Sequence, residues 1–488
     1  MPLLDREDFR EQLGLWFRPL FHLGHNTITL AGAVITTSSG ITLVAFWAFE
    51  MLRSGPVQPY AGILFFMILP GFFFFGLALM PLGVLLRRRK LRKLGELPEK
   101  YPRINLRDPQ LHRGLILVAM ATLLNISIFG IASYQGVEYM DSVQFCGQTC
   151  HTVMGPVYTA YHDSPHSRVA CVECHIGPGA SWFVRSKLSG ARQVYAVIFH
   201  TYSRPIPTPV KELRPARETC EQCHWPQKFE GDKLLVRTRY ESDEANTPST
   251  TVLVMKIGGH TAQGNVGIHG RHLQTRERIS YVATDQRRQV IPRVDYLDDQ
   301  GKVVEYNSAD VQLTPDQLKN AEHRKMDCVD CHNMPTHAFR LPERAVDLAI
   351  NERRISRDLP YIKKKAVEVL RRDYPDRATA RRQIAGGITE YYKTTYPDVF
   401  RDHRVLIESA VQQVEDIYMR NVFPEMKVTW GTYINNLGHE DFPGCFRCHD
   451  GNHTSADGRM ITQDCNACHS ILAMEETNPE ILSQLGFE

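Results

Sequence analysis

The 488-residue sequence has almost no excess of charge of either sign: 57 Lys and Arg stand against 54 Asp and Glu, a net charge of +3. A chain so balanced gives no global electrostatic case for binding nucleic acid. It has no low-complexity tail and no fixed-length repeat, and with 43% hydrophobic residues it lacks the composition of a disordered chain. Charge itself is missing in three places. No Asp, Glu, Lys or Arg occurs between Arg18 and Glu50, between Tyr60 and Arg87, or between Arg113 and Glu138. Each gap exceeds the roughly 20 apolar residues that cross a bilayer as a helix. A mean hydropathy of −0.29 conceals them because the remainder is strongly polar.

Spans are expected at about residues 27–49, 61–86 and 115–134, with Pro70 kinking the second. The first run is too long and starts too late for a cleavable signal peptide. Ten positive residues, Arg87, Arg88, Arg89, Lys90, Arg92, Lys93, Lys100, Arg103, Arg107 and Arg113, lie between the second and third spans, whereas residues 51–60 hold only Arg53. Positive loops stay cytoplasmic. The N-terminus is then cytoplasmic, and everything after about residue 138 lies on the opposite side, the periplasm for a bacterial inner membrane.

No cysteine is left over. All twelve fall into six pairs, each followed at once by histidine. Five read C-x-x-C-H: Cys171/Cys174/His175, Cys220/Cys223/His224, Cys328/Cys331/His332, Cys445/Cys448/His449 and Cys465/Cys468/His469. The first is one residue wider, Cys146-Gly-Gln-Thr-Cys150-His151. Two thiols one turn apart can bond the two vinyl groups of a porphyrin, and the adjacent histidine then reaches the iron, so the pattern is the attachment signature of c-type haem. Zinc ribbons, structural disulfides and redox dithiols leave the histidine unexplained. Six such histidines by chance have a probability on the order of 10⁻⁸. Six covalently bound haem c groups are the expectation, and the periplasmic placement agrees with it independently.

An iron that only passes electrons is usually six-coordinate, so five or six further ligands are needed. Topology excludes His22, His25 and His112. There remain His162, His166, His200, His260, His269, His272, His323, His337, His403, His439 and His453, more than the irons require. His337 and His453 closely follow motif histidines, His166 lies in Ser164-Pro165-His166, His269 in a turn and His439 just before Cys445. These five are the distal candidates; spacing alone does not pair iron with ligand.

The stretch Phe145-Cys-Gly-Gln-Thr-Cys-His-Thr-Val-Met-Gly-Pro156, then 158–166, Cys171-Val-Glu-Cys-His-Ile-Gly-Pro178, Trp182, Lys187 and Glu218-Thr-Cys-Glu-Gln-Cys-His-Trp-Pro226 resembles the NapC/NirT family in its NrfH-like form. The segment from Trp430-Gly-Thr-Tyr433 to His469 is similar to that of larger inner-membrane cytochromes of metal-reducing bacteria, the ImcH type. The resemblance implies a membrane-bound quinol dehydrogenase, with the membrane quinone pool supplying quinol as substrate and periplasmic cytochromes or reductases as acceptors. It also implies that Met154 can ligate the first iron. Met154 comes three residues after His151 where the family has two, and the cysteine pair is wider, so either Met154 or His151 is the expected ligand. Lys187 matches a family lysine beside the quinol. The nearby position that often carries a carboxylate is Gln193, whose amide cannot take a proton. A haem subunit wired into a larger complex without its own quinol site, and a terminal multihaem reductase, are the alternatives; the absence of any C-x-x-C-K site weakens the latter.

The expected fold is mainly α and irregular: a three-helix membrane anchor (1–137), a three-haem domain (138–226), a small β-rich insertion (227–310) and a helical three-haem domain (311–488). Haem faces, more than helices or strands, should supply the core of 138–226. The β-branched runs 250–257, 278–283 and 290–296 predict strands. Ile362, Ala366, Val369 and Leu370, and then Leu406, Ala410, Val414 and Ile417, predict helices.

Overall fold

The computed structural model describes residues 18–487 except 20–21, 53–67, 99–100, 102–108, 150, 177–187, 191, 194, 211–212, 226–230, 260–266, 275–277 and 299. The described part is mainly helical, with two small sheets, and it divides into two units.

The first unit is the anchor. Helices α1 (Thr27–Leu52), α2 (Leu69–Leu94) and α3 (Pro109–Asp141) are each long and apolar enough to cross a membrane. Helices α1 and α2 approach closely through small residues. A Cβ on Gly76 would lie 2.5 Å from Thr36 Oγ1, one on Gly32 would lie 2.7 Å from the Gly76 carbonyl, and one on Gly83 would collide with Thr29. Helix α3 is tied to α1 by the Thr37 and Thr122 hydroxyls at 2.8 Å. The described α2 runs from Leu69 with Pro70 near its described start, and residues 53–67, on which the expected kink depends, lie outside the described residues. The charges from Arg87 to Lys93 ride on the last turns of α2, which Gly95 ends in a left-handed conformation.

The second unit joins two regions of different character. Residues 342–421 fold around a dense apolar core formed by α5 (Pro342–Asn351), α6 (Ile362–Leu370), α7 (Arg377–Thr395) and α8 (Arg404–Asn421), counting His151–His162 as α4. Ile362, Ala366, Val369, Leu370, Ala410 and Val414 are fully buried, at the positions their periodicity marks. Across this core the buried Lys363 ammonium is paired with Asp347, which also accepts from the Tyr240 N–H at 3.1 Å. Residues 146–175 and 189–225 are different: among the described ones, the buried apolar side chains are few, namely Val153, Pro156, Ala160, Tyr161 and Ala216.

Strands β1 (Lys233–Tyr240), β2 (Pro248–Met255), β3 (Ile279–Ala283), β4 (Arg293–Leu297), β5 (Val303–Ser308), β6 (Glu322–Lys325), β7 (His453–Ser455) and β8 (His469–Glu476) form two antiparallel sheets of order β1-β2-β8 and β6-β3-β4-β5-β7. The strands expected within 227–310 form, with β1 and β5 in addition. They do not close on themselves, since β6, β7 and β8, all beyond residue 310, complete the sheets. Strand β4 starts after Pro292, which has no N–H to give a ladder.

Candidate haem centres

The motifs share one local geometry. In the third, fourth, fifth and sixth, the histidine N–H bonds the carbonyl of the first cysteine, one helical turn back, at 2.7 Å for His224, 2.8 Å for His332 and 3.1 Å for His449. Two thiols and an imidazole therefore come to one face. Carboxylates at the N-termini hold some of these turns. Asp327 caps the helix Cys328–Cys331 in a reciprocal box with Asp330, and Asp464 Oδ1 accepts from Asn466 N at 3.0 Å ahead of Cys468. The widened first motif runs as a wider helical turn, Phe145–Thr149. Gly147 lies flat against the Tyr158 ring, where any Cβ would collide, and Gln148 Nε2 donates to Tyr158 Oη at 3.0 Å. Cys150 and the side chain of His151 lie outside the described residues; Met154 is half-buried on α4.

Each of the other five motif histidines faces one further histidine. Ring centroids are 6.3 Å apart for His175 and His337, 6.0 Å for His224 and His166, 6.3 Å for His332 and His269, 5.9 Å for His449 and His272, and 6.2 Å for His469 and His439. Two imidazoles on opposite sides of one metal, each bonded at about 2 Å, have centroids about 6 Å apart. The five gaps match that span. Four of the rings are also oriented from behind: Nδ1 of His166, His337, His272 and His449 lies 3.2, 2.9, 2.8 and 2.7 Å from the carbonyls of Pro335, Val157, Ile268 and Thr462, which leaves Nε2 for the gap. Burial pushes His175, His269, His272, His332 and His469 toward the neutral, ligating form and holds His337 at about 4.

His453 is placed elsewhere, and this corrects its candidacy. Its ring is only 1% exposed, with Nδ1 at 2.8 Å from Asp450 Oδ1 and Nε2 at 2.7 Å from the Ile291 carbonyl, so neither nitrogen faces a motif histidine. His272 occupies the position opposite His449 instead. Spacing did not single it out, but it lies three residues after His269 on the turn that opens at Gly270, so one short segment presents both rings. Lys187 lies outside the described residues. Gln193 is exposed, and its Nε2 donates to Ser189 Oγ at 3.2 Å.

Successive motifs are neighbours in space. The Cys146 thiol lies beside Cys171, Cys174 beside Cys220 and Cys223, Cys220 beside Cys328, Cys331 beside Cys445, and Cys468 beside Cys445. Order along the chain is thus order in the fold. Within the fourth motif Asp330 is buried, accepting from Tyr281 Oη at 2.7 Å and Arg324 Nε at 2.6 Å; its burial and the carboxylate push the Tyr281 phenol well above its ordinary range. The aspartate inside C-V-D-C was the available sign of this cluster.

Residues 109–206 match the N-terminal region of the NapC/NirT cytochrome c family. The chain is 43% identical to the cytochrome c-type protein ImcH of Geobacter sulfurreducens over 457 residues, 93% of this chain and 89% of that protein. It is 27% identical to the cytochrome c-type protein NrfH of Wolinella succinogenes over 111 residues, 22% of this chain and 62% of that one. No solved structure matches it.

Proposed function

Given that the chain belongs to the NapC/NirT cytochrome c family, as a membrane-anchored multihaem cytochrome of the ImcH kind, we propose that it oxidises quinol and relays the electrons through six haems to periplasmic acceptors. In this reading the anchor lies in the inner membrane with its N-terminus cytoplasmic, as the positive charges from the end of α2 to the start of α3 favour. The twelve cysteines bind the haems covalently. His175 with His337, His224 with His166, His332 with His269, His449 with His272 and His469 with His439 hold five irons, and Met154 or His151 serves the first. Bound haem supplies reversible one-electron transfer at iron.

The chain's own part is to bind, orient and shield. Backbone carbonyls fix ring orientation, and a bound haem held by two imidazoles at each of these five motifs would have no open site for substrate chemistry, which speaks against a terminal reductase. Lys187 hydrogen-bonds a quinol oxygen. The two quinol protons leave to the periplasm, and Gln193 cannot carry them as a base. That amide is the one observation favouring the alternative, a wiring subunit with no quinol site.

The observation that carries the proposal is the set of five facing histidine pairs on motifs adjacent in chain order. Purified full-length protein mixed with a menaquinol analogue tests it. Reduction of its haem bands is expected, and slower reduction in Lys187→Ala. No reduction by quinol, with full reduction by dithionite, would leave the wiring subunit standing in its place.

A further inference from the structure

The last motif opens onto an unpaired sheet edge. Strand β8 begins at His469 and is the outer strand of its sheet; one side pairs with β2, and no described strand takes the other. Ile471 (48%), Leu472 (40%) and Met474 (63%) are exposed along it, while Ala473 is buried. Next to it the exposed Phe446 stacks on His439 at 4.2 Å, and His439 is the ring that faces His469. Cys465 and the two residues after it are exposed as well. Apolar surface and the edge of the sixth haem site therefore coincide. Apolar exposure of this kind marks a place of contact, and an open strand edge is otherwise a liability.

Charge decides the occupant. Residues 439–488 hold nine Asp and Glu against two Lys and Arg, in a chain whose total is positive. Asp464, Glu475, Glu476 and Glu480 are exposed around the apolar strip, and none has an ion-pair partner among the described residues. Of the nearby cations, Arg447 turns inward to the Arg288 and Asp330 carbonyls at 2.8 and 2.6 Å, and Lys256 Nζ donates to the Asn466 carbonyl at 2.7 Å. A second copy would set acid against acid, and an anionic lipid surface would be repelled.

We propose that the β8 edge with Phe446 is the exit face of the relay, where a soluble electron carrier with a lysine-rich rim docks: apolar contact at the centre, acidic ring for steering. This rests on the relay reading above. One electron leaves per encounter, reducing the carrier's oxidised centre, and no bond or proton changes hands.

The test bypasses quinol. Full-length protein is reduced with dithionite, freed of excess, and mixed in a stopped-flow with an oxidised lysine-rich monohaem cytochrome c, or with the same cytochrome after succinylation of its lysines. We expect transfer to the native carrier to be at least about tenfold faster than to the succinylated one at low salt, and to lose that advantage as salt rises. The double variant Glu475→Lys with Glu476→Lys should lose about tenfold in rate and most of its salt dependence, with unchanged haem bands. Equal rates to both carriers, or a charge reversal without effect, overturns the proposal. So does a concentration-dependent dimer that Met474→Lys dissociates, which would give the edge to a second copy. A protein that fails with quinol but passes here loses the entrance and keeps the exit.

Discussion

His272 and His453 show how little separates a proposed ligand from a structural histidine. Both are inward-facing imidazoles near the fifth motif, but His272 has one nitrogen held by a carbonyl and the other turned to His449, whereas His453 has both nitrogens bonded to acceptors. Their substitutions should therefore part company. His272→Ala is expected to convert one haem from low-spin to high-spin, seen in the visible spectrum, with modest loss of stability. His453→Ala should leave every low-spin band intact and cost about 1–3 kcal/mol, because Asp450 and the Ile291 carbonyl lose their buried partner; thermal unfolding measures it. Sequence spacing favoured His453, four residues after His449, since adjacency in the chain is all a sequence displays. Direction of the ring is set by β7, which pairs with β5 and carries His453 into the apolar interior.

At the scale of elements, legibility followed periodicity. The helices α6 and α8 and the three anchor spans repeat apolar residues over enough turns to be read directly. Strand β1, with four of its eight residues Arg, Lys or Tyr, alternates too weakly for that, and it holds because β2 pairs with it along its whole length. Edge strands β6 and β7 are shorter still. At the start of β6, Glu322 accepts two bonds from Arg288, at 2.7 and 3.0 Å, and this pairing holds its carboxyl below the ordinary 4.5. A carboxyl depressed in the folded state stabilises above its unfolded value and ceases to as pH falls through the folded one. Thermal stability of this sheet should therefore decline below about pH 4.5, and Glu322→Gln should show a shallower decline over the same range, with a small loss at neutral pH. Circular dichroism melts from pH 7 to pH 3 on both proteins check it.

The whole molecule divides by what fills its interior. Residues 342–421 bury a continuous apolar core of their own, while the described residues of 146–225 bury little apolar side chain beyond Val153, Pro156, Ala160, Tyr161 and Ala216 and are rich in motif cysteines and histidines. Protein made without haem attachment should accordingly yield a protease-resistant fragment of the helical region and lose 146–225 early in limited proteolysis, whereas the loaded protein resists throughout; mass spectrometry of the fragments decides. The sequence by itself determined the membrane anchor, the six cysteine–histidine motifs and the class of cofactor, because charge-free runs and C-x-x-C-H spacing are local chemistry that needs no fold to be read. Only tertiary structure decided which histidine faces which motif, and that neighbouring motifs in the chain are neighbours in space. Those facts join residues far apart in the chain, such as His272 with His449, 177 positions away, and no local rule relates side chains that meet only when the backbone between them has folded.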